Sequence, residues 1–513
     1  MYLILTASSD TYITNKIIDN QFRATDANVG RAGTLDVFKL YNESKISGSS
    51  KPAELSRLLL KFDLSKLHEL TSSNIDINAS NFEAKLKLYD ILGGQATPSN
   101  FKLVVYPLSR SFDEGIGRDV ASFSDLDACN FITSSYSNGT SNLWHMTGAY
   151  AGGQLNSTDI DYISSGTLGS TLHDFGSVQT FPKGNEDLNI NVTTILSATL
   201  AGQLPDRGLR ISFSGSEETD SKTRFVKRFA SRHSSNPFKV PQLHVSWDDS
   251  VVDHHGDFVF DLSGSVFLNN YHRGTSANIL SGAASSQVTG QNCVILKLQK
   301  GDWKKFITGS QHTAGTDSTG VTGLYSASFA VSLSSTQKVN RQTQKLSDLV
   351  RVSGSIKFDE YWLSTDETVG YHTGSLEIIP AQRSSYSADP ASLMFTFTNI
   401  SDEYHVDDVI KLKVFIDDTA AKEKVYKTPY SKKSKVLSNL YYRVRNPDLG
   451  IVVVPFKKNN AGTRLSSDSS GMYFEFRVQN LPAGHVYVFD LLTTDYDSNR
   501  VYEDVSSRFK VIS

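Results

Sequence analysis

At 513 residues the chain is long enough for roughly three domains of about 150 residues each. With 39% hydrophobic and 20% charged residues and 54 aromatics (28 Phe, 22 Tyr, 4 Trp), it has too much apolar material for a disordered polymer. Lys+Arg at 51 nearly balance Asp+Glu at 54, so no excess charge marks the whole surface for nucleic acid or an anionic membrane.

Only Cys129 and Cys293 are present, which excludes a disulfide-stapled scaffold, a zinc-finger array and an iron–sulfur protein; two separate buried thiols are expected. The N-terminal stretch Met1 to Thr6 is apolar but carries no basic residues and soon reaches Ser8, Ser9 and Asp10, which argues against a signal peptide. Nor does any apolar run approach the roughly 18 residues of a membrane helix. The expectation is a soluble chain that matures in a reducing cytoplasm, with no membrane partner.

In chain order, a turn is predicted near Leu55 and the first clear strand at Ala84, Leu86 and Leu88, alternating with Lys85, Lys87 and Tyr89. Residues 113–186 are rich in Gly, Ser, Thr and Asn and exceed an ordinary connection, so they read as an insertion in a loop between strands. A short helix is predicted over 194–203, ahead of Pro205. Leu209, Ile211 and Phe213 then alternate with Arg210, Ser212 and Ser214. The strand-like Gln242 to Trp247 runs into the polar Asp248-Asp249-Ser250, the first domain boundary. Three more alternating segments follow: Tyr325, Ala327, Phe329, Val331 and Leu333; Ile410, Leu412 and Val414; and Met472, Phe474, Phe476 and Val478. Arg383 to Pro390 reads as a linker. Period-two patterning with polar punctuation predicts an all-β protein of half-buried antiparallel strands. Expected are sandwiches or jelly rolls in three domains: 1–248 with a long loop insertion, for which the resemblance given below implies a jelly roll, 249–383, and 384–513, which is compatible with an immunoglobulin-like sandwich.

Chemistry is sparse. Asp253-His254-His255-Gly256-Asp257, with His244, has metal-ligand composition. Adjacent histidines on a strand point to opposite faces, however, and the expected role is a polar interdomain linker. Asp495 to Asn499 begins like a calcium loop, but the sixth position is Arg500 and the twelfth Ser506, so a turn is expected. The carboxylate pairs Asp113-Glu114 and Glu217-Glu218 need no function among 54 acidic residues. No nucleophile elbow, phosphate-binding glycine loop or zinc-protease motif occurs, so no catalytic, cofactor-binding or metal-binding residue is assigned and an enzyme is not expected. Tyr136, Trp144, Tyr150 and Tyr162, all in the insertion, are candidates to stack on sugar rings or to pack the insertion onto the sandwich or a neighbouring subunit. The basic run Lys422, Lys424, Lys427, Lys432, Lys433, Lys435, Arg443 and Arg445 is interleaved with Tyr426, Tyr430, Tyr441 and Tyr442. Without a nucleic-acid fold it reads better as a surface docking on an acidic partner subunit, with Lys432, Lys433, Lys435, Arg443 and Arg445 its best candidates.

Eight pieces occur in a telling order: Ala7 to Ile13, Asn28-Val29-Gly30, Arg57 to Leu64, Ala84 to Tyr89, Ile190 to Leu196, Gly208 to Ser212, Phe229 to His233 and Pro241 to Val245. In that order they resemble the DNRLRE-type domain, a jelly roll related to carbohydrate-binding modules, over about residues 5–247. The later half, through Leu324 to Phe329, Tyr361 to Thr365, Arg464 to Phe476 and Leu481 to Gly484, resembles the β-rich tandem domains of tailed-phage virion proteins. The resemblance implies a virion component of the neck, collar, tail or baseplate, assembled in the host cytoplasm with other virion proteins and copies of itself. A carbohydrate-binding adhesin that grips surface glycan through the jelly roll is the alternative.

Overall fold

A computed structural model describes the chain except residues 41–53, 72–74, 93–96, 221–224, 283–284, 314–319, 340–341, 382–392, 420–431 and 495–498. The protein is all-β, and among the described residues its three α-helices are of seven or eight residues. None is long and apolar enough to cross a membrane. Two compact units form, one from Leu3–Thr71 with Phe82–Ser246, the other mainly from Trp247–Ser513.

In the first unit the strand Tyr2–Thr14 joins two halves of a ten-stranded arrangement. On one side lie Glu54–Phe62, Leu209–Phe213, Phe101–Pro107 and Ser177–Phe181; on the other, Gln242–Ser246, Glu83–Leu88 and Leu188–Asn191. A register shift between Ala7 and Ser9 lets one strand serve both halves, since a bulge re-aims the chain and sharpens its twist. Thr34–Leu40 and Phe225–Ala230 pair with each other and extend from Glu54–Phe62, while the bridge Asp90↔Phe229 links that pair back to the end of Glu83–Leu88. The result is the jelly-roll-like sandwich, filled by stacked and edge-on Phe101, Phe181, Phe213, Phe225 and Phe229.

The alternation at 84–88 buries Ala84, Leu86 and Leu88 as expected. The turn predicted near Leu55 is instead part of the strand Glu54–Phe62, whose continuous apolar run Leu58-Leu59-Leu60 is covered on both faces. The helix predicted over 194–203 occurs as Thr193–Leu200.

In the second unit, Gly264–Asn269, Gly320–Phe329, Trp303–Thr313, Val294–Lys300, Ile356–Leu363 and Gly370–Ile378 form a six-stranded antiparallel sheet in that spatial order. Its core gathers Phe258, Leu296, Tyr325, Phe329, Phe358 and Trp362, and the helix Leu346–Ser353 adds Leu346 and Val350. The C-terminal stretch is a sandwich of two sheets. Leu393–Phe397, Val409–Asp418, Gly471–Arg477 and Ser466–Asp468 make one; Glu403–His405, Phe509–Ile512, Val486–Thr493, Leu440–Asn446 and Ile451–Val454 make the other, with Arg500–Tyr502 beside Val486–Thr493. Tyr442 stacks on Phe474 at 4.3 Å and Phe489 on Phe509 at 5.1 Å, so aromatic rings fill the space between the layers.

Candidate functional site

The insertion is a folded layer built against the first sheet. It contributes the hairpin Thr133–Ser137 with Thr140–Leu143 and a three-stranded sheet of Gly152–Gln154, Tyr162–Leu168 and Thr171–Asp174; its last part, Ser177–Phe181, is an edge strand of the main sheet. A small apolar core of Leu108, Phe112, Cys129, Trp144 and Ala149 packs against Ile13 and Leu59 of the sheet. Trp144 is 4% exposed and its indole N–H donates to the Asn130 carbonyl at 2.9 Å, so this ring holds the insertion together and offers no open face. Tyr162 is half-buried, 4.8 Å from Tyr106 and 4.4 Å above the Arg210 guanidinium. Tyr136 and Tyr150 remain 38% and 42% exposed, Tyr150 resting on the Arg57 guanidinium at 5.1 Å.

Covering this face of the sheet buries groups that alternation alone would place in water. Arg57 donates from Nε to Glu218 at 2.7 Å and from Nη1 to the Gly148 carbonyl at 2.7 Å, and Arg210 donates from Nη1 to Ser212 Oγ at 2.8 Å. Burial, then the neighbouring Arg57 charge, pulls Arg210 down to about 10. Glu218 is the counter-ion of both arginines, and Glu217 accepts the Lys102 amide at 2.6 Å. The Glu217-Glu218 pair thus serves the packing of the sheet.

The densest polar constellation sits where the insertion begins. Asn28 is buried with its amide fully used: Nδ2 donates to the Glu114 and Cys129 carbonyls at 2.9 and 2.8 Å, and Oδ1 accepts from Gly117 and Gly30 at 2.7 and 3.3 Å. Backbones approach so closely here that a Cβ on Gly30 would lie 1.9 Å from the Glu114 carbonyl, and Gly115 has φ +75° with the Asn28 side chain in its path. Glu114 is thereby held in place. Its two carboxylate oxygens accept from Arg232 Nε and Nη2 at 2.5 and 2.6 Å, and Oε1 also accepts the Asp10 amide at 2.9 Å.

Asp10 is 1% exposed. Its Oδ2 accepts the Arg232 amide at 2.6 Å, but Oδ1 is buried without a hydrogen-bond partner. Burial raises this carboxyl to about 7, the Arg232 amide pulling it down and the Glu114 charge pushing it up. His233 completes the group, its Nε2 3.7 Å from Glu114 Oε1; one ligand-type atom each of Asp10, Glu114 and His233 lies within 4.8 Å of the others.

In the sequence Glu114 is half of an ordinary acidic pair, and no motif joins it to Asp10 or His233. Their separations of more than 100 residues hide the cluster from any local pattern. The one local hint is an acidic Asp10 inside a strand whose neighbours Thr11, Tyr12 and Ile13 are all buried.

The other sequence candidates are committed within the chain. Lys432 pairs with Asp417 at 2.7 Å, Lys433 with Glu377, Lys435 with Asp418 at 3.3 Å, and Arg443 and Arg445 grip the buried Asp490 at 2.7 and 3.2 Å while reaching Glu503 and Asp504. Each of the five cations thus has an acidic neighbour within the chain, with Lys433 still 62% exposed and Arg443 and Arg445 largely buried. Lys422, Lys424, Lys427, Tyr426 and Tyr430 lie outside the described residues, as do the linker 383–390 and residues 495–498 of the calcium-like loop. In the 253–257 segment the histidines part company. His254 Nδ1 lies 3.2 Å from the Ser265 backbone; His255 bridges Asp253, at 2.7 Å from Nδ1, and Glu360, at 2.9 Å from Nε2. Burial by itself would lower the His255 pKa, but hydrogen bonds to the two carboxylates carry it up to about 10, so it is an imidazolium locked in an ion triad. The segment is also sewn to the C-terminal sandwich, Val252 bridging Ser467 and Arg464 pairing with Asp248 at 3.2 Å.

No protein-family model matches the chain, and the comparison with curated proteins finds no match.

Proposed function

We propose that the chain is a non-enzymatic structural component of a tailed-phage particle, in the neck, collar, tail or baseplate, that works by docking its insertion against neighbouring subunits. The observation that carries this reading is the outer surface of the insertion. Its interior is closed around Trp144, yet Ile116, Leu126, Leu143, Met146 and Leu172 stand exposed, Leu172 by 67%. Large apolar side chains concentrated on one folded loop layer are what a protein–protein contact uses, since each gains free energy when a partner removes it from water. The likeness of the first half to DNRLRE-type jelly rolls and of the second to virion β-domains adds a warrant by analogy. Quantitative peptide mass spectrometry on density-purified particles tests it. A fixed copy number relative to the capsid protein is expected, and absence of the chain from particles refutes the reading.

The glycan-binding alternative keeps one supporting observation, the two exposed tyrosines Tyr136 and Tyr150. Under it, Tyr150→Ala weakens binding on a glycan array and leaves particle assembly unchanged.

A further inference from the structure

We propose that Asp10, Glu114 and His233 bind one divalent transition cation, zinc before others, which staples the start of the insertion to the jelly roll. This inference stands apart from the virion reading and concerns the first unit alone.

Two geometric features and an orphaned atom converge. One ligand-type atom from each residue lies within 4.8 Å of the other two, close enough for one ion to collect all three after side-chain adjustment. His233 Nε2 and Glu114 Oε1 are 3.7 Å apart, too far for a hydrogen bond; two ligands of one zinc ion at about 2.0–2.1 Å each sit roughly 3.3 Å apart, so a shift of a few tenths of an ångström brings this pair to ligand spacing, the ion displacing one of the two hydrogen bonds that Oε1 accepts. Finally, Asp10 Oδ1 is a buried carboxyl oxygen with no hydrogen-bond partner, the kind of group whose desolvation a bound ion compensates.

The surroundings suit a cation. Two carboxyl groups face one guanidinium, and with both ionised the cluster carries net negative charge for the ion to balance. Arg232 hydrogen-bonds the Glu114 carboxylate and presents its amide to Asp10 Oδ2, an outer layer that orients both acids before the ion arrives. A ring nitrogen with two carboxylate oxygens favours zinc over calcium or magnesium, which prefer all-oxygen cages. His233 is partly exposed, which gives the ion a route in and leaves coordination positions for water. Because the ligands come from the first strand, the start of the insertion and the turn after Phe225–Ala230, the ion would tie three distant parts of the unit together.

The test uses the full chain, stripped with EDTA and exchanged into metal-free buffer, titrated calorimetrically with zinc chloride and in parallel with calcium and magnesium chloride. Expected is saturable zinc binding at one ion per chain, a rise in the thermal midpoint, and slower proteolysis within residues 113–176. Asp10→Asn, which keeps the shape of the side chain, and His233→Ala, at a partly exposed position that tolerates truncation, should each weaken zinc binding roughly tenfold or more. The proposal is overturned by an absence of saturable zinc binding, by zinc binding equal in the wild type and His233→Ala, which would place the ion on other histidines, or by a site that takes calcium and not zinc. Should Asp10→Asn fail to fold by circular dichroism, His233→Ala alone decides.

Discussion

Replacing His255 with Gln removes the cation from a buried triad and leaves Asp253 and Glu360, respectively 5% and 2% exposed, facing each other without a counter-charge. Two routes give the magnitude. Stranding a buried charge by deleting its partner costs about 3–5 kcal/mol. The rise of His255 from its ordinary 6.5 to about 10, at ~1.36 kcal/mol per unit, corresponds to ~5 kcal/mol when fully expressed. Because the folded state holds this proton more tightly than the unfolded state, the contribution is complete below pH 6.5 and is lost as pH rises through about 10. At pH 7, three units below the folded value, about 4 kcal/mol of it remains; at pH 10 less than ~1 kcal/mol does. Urea denaturation of wild type and His255→Gln at both pH values measures the gap. The indole of Trp362, which donates to Glu360 at 2.7 Å, is a fluorescent reporter inside the same network. The expected result is a large gap at pH 7 that nearly closes at pH 10. A gap of the same size at both would falsify the imidazolium assignment.

Three further outcomes are expected. Trp144→Ala empties the core of the insertion and removes its bond to Asn130, so the first unit should lose about 3–5 kcal/mol, read as a lower thermal midpoint; an unchanged midpoint would contradict the central packing role of that ring. Asn28→Ala strands two carbonyls and two amides at the base of the insertion, a loss on the order of 4 kcal/mol. Chymotrypsin with mass mapping should then cut within 113–176, which is rich in Phe, Tyr, Trp and Leu, much faster than in the wild type, and an equal rate counts against the clamp. Burial pushes the Cys129 thiol well up and leaves Cys293 less protected, so a thiol reagent should label Cys293 first and Cys129 only on unfolding; early labelling of Cys129 would show that the insertion opens.

The strands that could be read from the chain were those with one wet face. Ala84, Leu86 and Leu88, or Leu412 and Val414 between lysines, announce themselves because water on one side imposes alternation. Glu54–Phe62 has no wet face, and its continuous leucines gave no period to detect. Arg210 and Ser212 followed the alternating pattern but are buried nonetheless, since the insertion covers the face they occupy and Glu218 and Tyr162 meet them there. Aromatic residues in the insertion were visible as a group; which of them lies inside, Trp144, and which outside, Tyr136 and Tyr150, was not.

From residues alone come the all-β class, the long insertion, the scarcity of catalytic motifs and the two unpaired thiols, because composition and short-range periodicity are properties of neighbours along the chain. Tertiary structure decided the rest. Whether a basic residue is a docking cation or half of an internal pair, as Arg443 and Arg445 are with Asp490, depends on strands that meet only after folding. So does the cluster of Asp10, Glu114 and His233, whose members are brought together by a bulged first strand, an asparagine clamp and the turn after Phe225–Ala230. Electrostatic and metal-binding chemistry acts over a few ångströms, and separation along the chain sets no such distance until the fold does.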